Sequence, residues 1–160
     1  MVLNYCDDQI WLSPDGKLIQ TYVEKLKNSG YDLTMEPEGD VFVFLAIAFK
    51  RTGSLIELTQ KGLIEMVINY VELQDSKVKL TPATAAPLGS DKNGLPFNET
   101  WSYPAAVGML LYLASNTRLD IQFAVHQVAR FNHNPKHSHD QAFKSIVGYL
   151  LGTKDKGIQF

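Results

Sequence analysis

The sequence predicts an α+β fold, in which antiparallel hairpins and one helix are followed by a bundle of helices. In the first 60 residues, short apolar runs are broken by turn residues, which is typical of hairpins. After residue 60, apolar residues recur at helical spacing. Between Thr81 and Glu99 the chain is rich in Pro and Gly, which predicts an extended connection and the best candidate for a subdomain boundary.

The first elements are a hairpin and a helix. Val2 to Leu12 reads as strand-turn-strand, with Asp7 and Asp8 between two apolar runs. Apolar residues from Leu18 to Leu26 then follow a helical period, and a turn at residues 28–30 ends that helix.

A second group of strands is predicted next. Alternation from Tyr31 to Met35 indicates a short strand, and residues 38–40 form a turn. The nine-residue apolar run Val41 to Phe49 fits one buried strand. A turn at residues 50–53 and a returning strand from Ser54 to Thr59 complete a hairpin.

The remaining elements are helices. Their predicted ranges are Leu63 to Val71, Ala105 to Ala114, Asp120 to Phe131 and Asp140 to Leu151. Thr117 and Asp120 have the spacing of a capping box at the start of the third of these helices.

Composition limits the class of protein. The 160 residues are 45% hydrophobic and 20% charged, as in an ordinary globular domain. No apolar run approaches the roughly 20 residues that span a bilayer, so we expect no membrane association. One cysteine, Cys6, excludes an internal disulfide and suits an intracellular, reducing compartment. The net charge of -2 does not indicate nucleic-acid binding, although residues 116–160 are mildly basic.

Asp7 and Asp8 are the first candidate site. A tight hairpin would present their adjacent carboxylates at its tip. Mg²⁺ prefers oxygen ligands and commonly bridges protein carboxylates and phosphates. The pattern therefore points to a magnesium-binding hairpin.

The residues Tyr5-Cys6-Asp7-Asp8 between apolar strands resemble the Tyr-x-Asp-Asp catalytic hairpin of reverse transcriptases. Further blocks look like those of copia-type retrotransposon polymerases, in the same order and over nearly the whole chain. They are residues 44–50, 53–60, 81–82, 107–114, 117–121, 123–125 and 129–131, then Pro135, His139, Ala142, residues 149–150 and residues 152–154.

The resemblance implies a piece of an RNA-directed DNA polymerase, a nucleotidyltransferase encoded by a transposable element. Residues 1–60 would be the C-terminal part of the palm with its following hairpin. Residues 61–101 would be a thumb helix and connection, and residues 102–160 a thumb-like helical region leading towards a ribonuclease H domain. Its partners would be an RNA or DNA template-primer and dNTPs. Its place would be the cytoplasm, within virus-like particles, or the nucleus.

The same resemblance implies roles for individual residues. Asp7 would be the principal metal ligand and Asp8 a neighbouring carboxylate, together serving two Mg²⁺ ions. Tyr5 would pack under the primer end. Lys50 and Arg51 would meet primer phosphates, although a solvated turn explains that pair equally well. Cys6, at the variable position of the motif, is expected to be a small buried residue.

The chain departs from the family pattern in places. The family usually has Gly where Ala46 stands, Pro where Leu119 stands, and basic residues where Ser145 and Gly148 stand. A methyl group at Ala46 could obstruct a close backbone approach. Fewer basic residues on the last helix would weaken its attraction for phosphates.

The family's other metal-binding aspartate and its fingers precede the segment that this sequence matches. We therefore expect the isolated 160-residue chain to be inactive, and the missing polymerase segments to be needed in cis. Two alternatives remain open. One is a non-catalytic relic or a nucleic-acid-binding helical module built on the basic tail. The other is a metal site formed by His126, His133, His137 and His139, whose spacing matches no standard zinc pattern.

Overall fold

The computed structural model describes residues 1–6, 8–30, 43–83 and 86–160, with only the backbone of Asp8. The chain forms two compact units, Met1–Val41 and Phe42–Phe160. The predicted strand from Tyr31 to Met35 and the turn at residues 38–40 lie outside the described residues.

The first unit contains a hairpin and a helix, as the sequence predicts. Strands β1 (Val2–Tyr5) and β2 (Asp8–Trp11) pair antiparallel. Helix α1 (Gly16–Lys27) begins where the Asp15 carboxylate accepts a hydrogen bond from the Lys17 backbone N–H at 2.9 Å.

The second unit contains an antiparallel sheet of strands in the order β3-β4-β5-β6. They are β3 (Val43–Phe44), β4 (Ile47–Thr52), β5 (Leu55–Thr59) and β6 (Ile158–Gln159). The last strand pairs with β5 through Leu58 and Ile158, so the end of the chain covers one edge of the sheet.

The prediction of a single strand from Val41 to Phe49 is wrong. A turn at Leu45 and Ala46 divides the described part of that run into β3 and β4, and both turn residues have a positive φ, 52° and 60°. Such a pair of φ values is typical of a type I′ hairpin turn, for which Gly and Asn are the usual residues. Leu and Ala carry no turn signal, which is why the sequence pattern hides the turn.

The core of the second unit is helical. It is built from α2 (Lys61–Tyr70), α3 (Tyr103–Asn116), α4 (Gln122–Ala129) and α5 (His137–Leu151), with a short 3₁₀ turn at Leu119–Ile121. All four helices contribute fully buried apolar residues to one hydrophobic cluster. The predicted helices are confirmed, although a 3₁₀ turn forms the start of the third.

The described residues between 77 and 99 pack within this second unit. The Lys79 N–H donates to the Gly148 carbonyl at 3.1 Å, and the Phe97 N–H donates to the Pro135 carbonyl at 3.1 Å. The two compact units divide near Val41 instead, so this extended connection is internal to one of them. The assignment of residues 1–60, 61–101 and 102–160 to polymerase regions stays a prediction.

Thr117 and Asp120 do not form the predicted capping box. Thr117 ends α3, and its buried hydroxyl donates to the Gln60 Oε1 at 2.8 Å. The Asp120 carboxylate binds the Arg118 guanidinium. A partner 57 positions away therefore takes the Thr117 hydroxyl, and a neighbour two positions away takes the Asp120 carboxylate. Among the described residues, no helix is long and apolar enough to cross a membrane.

Candidate functional site

The predicted catalytic hairpin is formed with its motif at the turn. Tyr5 is the last residue of β1 and pairs directly with Asp8, the first residue of β2. Cys6 therefore occupies the first position of a two-residue connection, and its φ of 47° lies in the left-handed region. A positive φ at this first position is what the primed hairpin turns require, and those turns match the right-handed twist of the flanking strands.

The exposure of the tip suits a binding site. Tyr5 is 56% exposed, and Cys6 is exposed rather than buried as expected. Asp7 and the side chain of Asp8 lie outside the described residues, so their carboxylate geometry stays a prediction. The tip is thus accessible at the two described side chains that precede Asp7.

Hydrogen bonds hold the open end of this hairpin. The Met1 amino group donates to the Leu12 carbonyl at 2.8 Å, and the Leu12 N–H donates back to the Met1 carbonyl at 2.8 Å. Ile10 is 6% exposed, while Leu3, its partner on β1, is 45% exposed. The backbone of the motif is therefore held by a complete two-stranded ladder.

Lys50 and Arg51 lie on strand β4, and the prediction of a turn there is wrong. The turn comes two residues later, at Gly53, whose φ is 63°. Lys50 pairs across the sheet with Glu57, and the Arg51 Nε donates to the Gly53 carbonyl at 3.1 Å. Because successive side chains of a strand point to opposite faces, the two exposed cations cannot act as one patch on one face.

An ion pair between a buried arginine and a partly exposed aspartate follows α3. The sequence pattern marked these residues as a matching block and a capping box, and it gave no sign of the ion pair. Arg118 is 1% exposed, and its Nε and Nη2 donate to the two Asp120 carboxylate oxygens, each at 2.9 Å. Its Nη1 and Nη2 also donate to the carbonyl and hydroxyl of Thr153, at 2.9 and 2.8 Å. The Tyr149 hydroxyl donates to Asp120 at 2.8 Å.

This cluster, Arg118, Asp120, Tyr149 and Thr153, fastens the turn after α3 to the end of α5. Burial alone would raise the pKa of the Asp120 carboxyl, but hydrogen bonds from Arg118 and Tyr149 outweigh it and hold that pKa below its usual value. The carboxylate is therefore ionised near neutral pH. The role of these residues is to position the chain.

Another carboxylate, Asp140, is buried, and its pKa is shifted in the opposite direction. It is 1% exposed and pairs with the Lys144 ammonium at 2.7 Å, which also contacts Glu99 at 2.6 Å. Burial raises the pKa of Asp140 more than Lys144 lowers it. The apolar period that predicts this helix places Asp140 at its start and does not indicate that the side chain is buried.

One of the four histidines, His139, has a structural role. His139 is fully buried; its Nδ1 accepts from the Lys136 N–H at 3.0 Å, and its Nε2 lies 2.9 Å from the Gly89 carbonyl. Its ring stacks on Phe131 with centroids 3.9 Å apart. The other three histidines are exposed. Within the described ranges, no three His, Cys, Asp or Glu side chains converge on a possible metal position.

Comparison with known proteins covers nearly the whole chain. The Retrovirus-related Pol polyprotein from transposon RE1 of Arabidopsis thaliana is 31% identical over 157 residues, 98% of this chain. The corresponding polyproteins from transposon RE2 of Arabidopsis thaliana and from transposon TNT 1-94 of Nicotiana tabacum are 28% and 31% identical, over 98% and 96% of the chain.

The chain is homologous to retrotransposon Pol polyproteins. It spans about a tenth of their length, 10% of the RE1 and RE2 polyproteins and 12% of the TNT 1-94 polyprotein. No family model matches the chain. No solved structure matches it. The Pol relationship predicted from the motif blocks is confirmed.

The Pol relationship covers the hairpin as well as the helices. The aligned 98% of the chain leaves room for only a few unmatched residues, so both compact units belong to one homologous segment. The buried cluster around Arg118 lies within this segment and needs no ligand to satisfy its charges. Tyr5 and Cys6, in the hairpin turn of the same segment, are exposed to solvent.

Proposed function

We propose that the chain is the segment of a copia-type retrotransposon RNA-directed DNA polymerase that carries the Tyr-x-Asp-Asp hairpin. The observation that carries this proposal is the hairpin turn, where Tyr5 and Asp8 flank Cys6 and Asp7 in a chain homologous to Pol polyproteins. In this proposal residues 1–60 form part of the palm, and the helices after residue 60 form the thumb-like region.

Asp7 and Asp8 supply carboxylate oxygens, the donor type that Mg²⁺ prefers. Bound Mg²⁺ would activate a primer 3′-hydroxyl and stabilise the charge that develops on the nucleotide phosphate. Asp7 is the proposed principal ligand, and Asp8 the neighbouring carboxylate.

Other residues of the hairpins bind and orient. Tyr5, exposed beside the turn, would support the primer end. Lys50 or Arg51 would contact primer phosphates. Because the two side chains lie on opposite faces of β4, the backbone of one nucleic-acid strand would contact only one of them. Arg51 is already oriented by its hydrogen bond to the Gly53 carbonyl, so Lys50 is the freer of the two.

A chimera tests this proposal. The chain would replace the matching segment of the RE1 polyprotein, and primer extension would be measured with Mg²⁺ on RNA and DNA templates. We expect templated synthesis that Asp7→Asn reduces at least a hundredfold. The matched control is Asp75→Asn, which removes an exposed carboxylate that has no ion pair among the described residues. A chimera that extends primers equally well with Asp7→Asn and Asp8→Asn together would rule the proposal out.

A second candidate function is a nucleic-acid-binding helical module without catalysis. The cationic side chains between α4 and α5 favour it, because they line a cavity whose described lining includes no carboxylate. A chimera that is inactive while the isolated chain binds nucleic acid would select this second function.

A further inference from the structure

A cavity of about 330 Å³ lies outside the hairpins, between the extended connection and the loop that joins α4 to α5. We call it the basic pocket. Its lining includes the cations Lys92, Arg130 and Lys136, together with Phe131, His133 and Asn134. Among the described residues, no Asp or Glu side chain lines it. Three like charges around one cavity repel each other, and this arrangement favours an anionic occupant.

The charges of the pocket are available. Among the described residues, the ion pairs of basic side chains involve Lys61, Arg118 and Lys144, and none of the pocket cations. Arg130 donates to the Gln127 Oε1 at 3.2 Å and lies 5.4 Å from the Phe131 ring centroid, which orients its guanidinium without neutralising it.

The carboxylate nearest in sequence is engaged elsewhere. Asp91 precedes Lys92, and its Oδ2 accepts a hydrogen bond from the Ser138 hydroxyl at 2.5 Å. This contact ties the connection to the first turn of α5. Asp91 is therefore held by α5 while Lys92 lines the cavity.

The walls of the pocket are held in place by the backbone. The Phe97 N–H donates to the Pro135 carbonyl at 3.1 Å, and the His137 N–H donates to the Leu95 carbonyl at 2.8 Å. Beneath them the buried His139 ring joins Lys136 to Gly89 and stacks on Phe131. A site that is formed before binding loses less entropy when its ligand arrives.

The rest of the helical surface is less attractive to phosphates. Ser145 and Gly148 carry no charge, and Lys144, the basic residue of α5, is shared between Asp140 and Glu99. Helix α5 itself therefore offers phosphates no Lys or Arg that is free of carboxylates. The volume of the basic pocket is at the lower end of the range for ligand pockets, and the pocket is open to solvent.

We infer that the basic pocket binds the phosphate backbone of a nucleic-acid strand, with Lys92, Arg130 and Lys136 each neutralising a phosphate. An open groove admits a continuous strand, and the exposed His133 ring offers a face to an unstacked base. This inference deepens the proposed function, since a polymerase segment must hold its template-primer, and it assigns a contact separate from the hairpin residues.

The test is fluorescence anisotropy with the purified 160-residue chain and labelled 20-nucleotide single strands and duplexes. The pocket variant is Lys92→Gln/Arg130→Gln/Lys136→Gln. The matched control is Lys17→Gln/Lys25→Gln/Lys27→Gln, which removes equal charge from exposed positions of α1. We expect the pocket variant to lose about tenfold or more in affinity at low salt. The slope of log K against log salt should fall by about two, because each lost phosphate contact removes about 0.7 to 0.9.

Single substitutions guard against a folding defect. Lys92 is exposed on the connection, so Lys92→Glu should weaken binding without changing the thermal midpoint. Equal losses in the pocket and control variants would overturn the inference, as would unchanged binding by Lys92→Glu. Competition distinguishes the ligand class: if inorganic phosphate, a dNTP or poly-glutamate displaces the strand at equal charge concentration, the pocket is a general anion site and the strand assignment is wrong. This assay needs no polymerase activity, so its failure is distinct from the failure of the chimera.

Discussion

Removing the carboxylate of Asp120 should destabilise the protein strongly, because it leaves the Arg118 guanidinium buried without its counter-charge. Arg118 is 1% exposed and makes two hydrogen bonds of 2.9 Å to Asp120. Breaking a buried pair by removing one partner costs about 3–5 kcal/mol. Asp120 keeps 37% of its side chain exposed, and Thr153 still accepts from Arg118. We therefore expect the lower end, about 3 kcal/mol for Asp120→Ala.

Urea unfolding followed by tryptophan fluorescence in a Trp11→Phe background measures this loss, since the remaining indole, Trp101, is 7% exposed in the core. For a chain of this size, about 3 kcal/mol corresponds to a fall of about 6–12 °C in the thermal midpoint. The matched control is Asp155→Ala, which removes the exposed partner of Lys61 in a 2.8 Å ion pair and should cost less than 1 kcal/mol. Equal losses for the two variants would refute the reasoning.

The pH dependence gives a second check on the same cluster. Burial raises the pKa of Asp120, but the hydrogen bonds from Arg118 and Tyr149 lower it by more. The folded-state pKa therefore lies below that of the unfolded chain. The stabilisation is then complete above about pH 4, the ordinary pKa of an aspartate, and it is lost as the pH falls through the folded-state value. The difference in stability between the natural chain and Asp120→Ala should shrink at acid pH and stay constant from pH 5 to 8.

Three further predictions concern single sites, each measured by urea unfolding. Gly148→Ala should destabilise by about 1–3 kcal/mol despite the better helix propensity of Ala, because a Cβ would lie 2.8 Å from the Lys77 carbonyl oxygen; Gly108→Ala, which meets nothing within 4 Å, should instead stabilise by up to about 1 kcal/mol. Ala46→Gly should stabilise by about 1 kcal/mol, since Ala46 has a φ of 60°; a loss of stability would contradict this. Asp140→Asn should gain stability relative to the natural chain as the pH rises above about 4, because burial raises the pKa of Asp140 and ionisation then costs the folded state; a constant difference across pH would contradict it.

Local chemistry explains why the hairpin and helices could be predicted. Asp15 and Gly30 mark the two ends of the α1 segment, and the period of its apolar residues supplies the rest. The Tyr5–Asp8 turn was predictable because two apolar runs flank it. The Pol relationship was predictable because its motif blocks are short, ordered along the chain and legible without coordinates.

The errors occurred where distant partners override local preference. The turn at Leu45 and Ala46 has no turn residues, yet Tyr112, on α3, donates its hydroxyl to the Leu45 carbonyl at 2.8 Å. Thr117 has the local spacing of a helix cap, but its hydroxyl donates a hydrogen bond to Gln60, which lies 57 residues away in the chain. Propensity is a weak prior, and tertiary context routinely overrides it.

The sequence by itself determined the α+β class, the helices, the hairpin motif and the kinship with Pol polyproteins, because periodicity, caps and motif order are local properties. Only the tertiary structure decided which charges are buried and which remain free. Arg118 and Lys92 look alike as basic residues in a sequence, but packing encloses the first with Asp120 and leaves the second on an open cavity. Desolvation and partner geometry depend on residues far apart in the chain, and no local pattern encodes them.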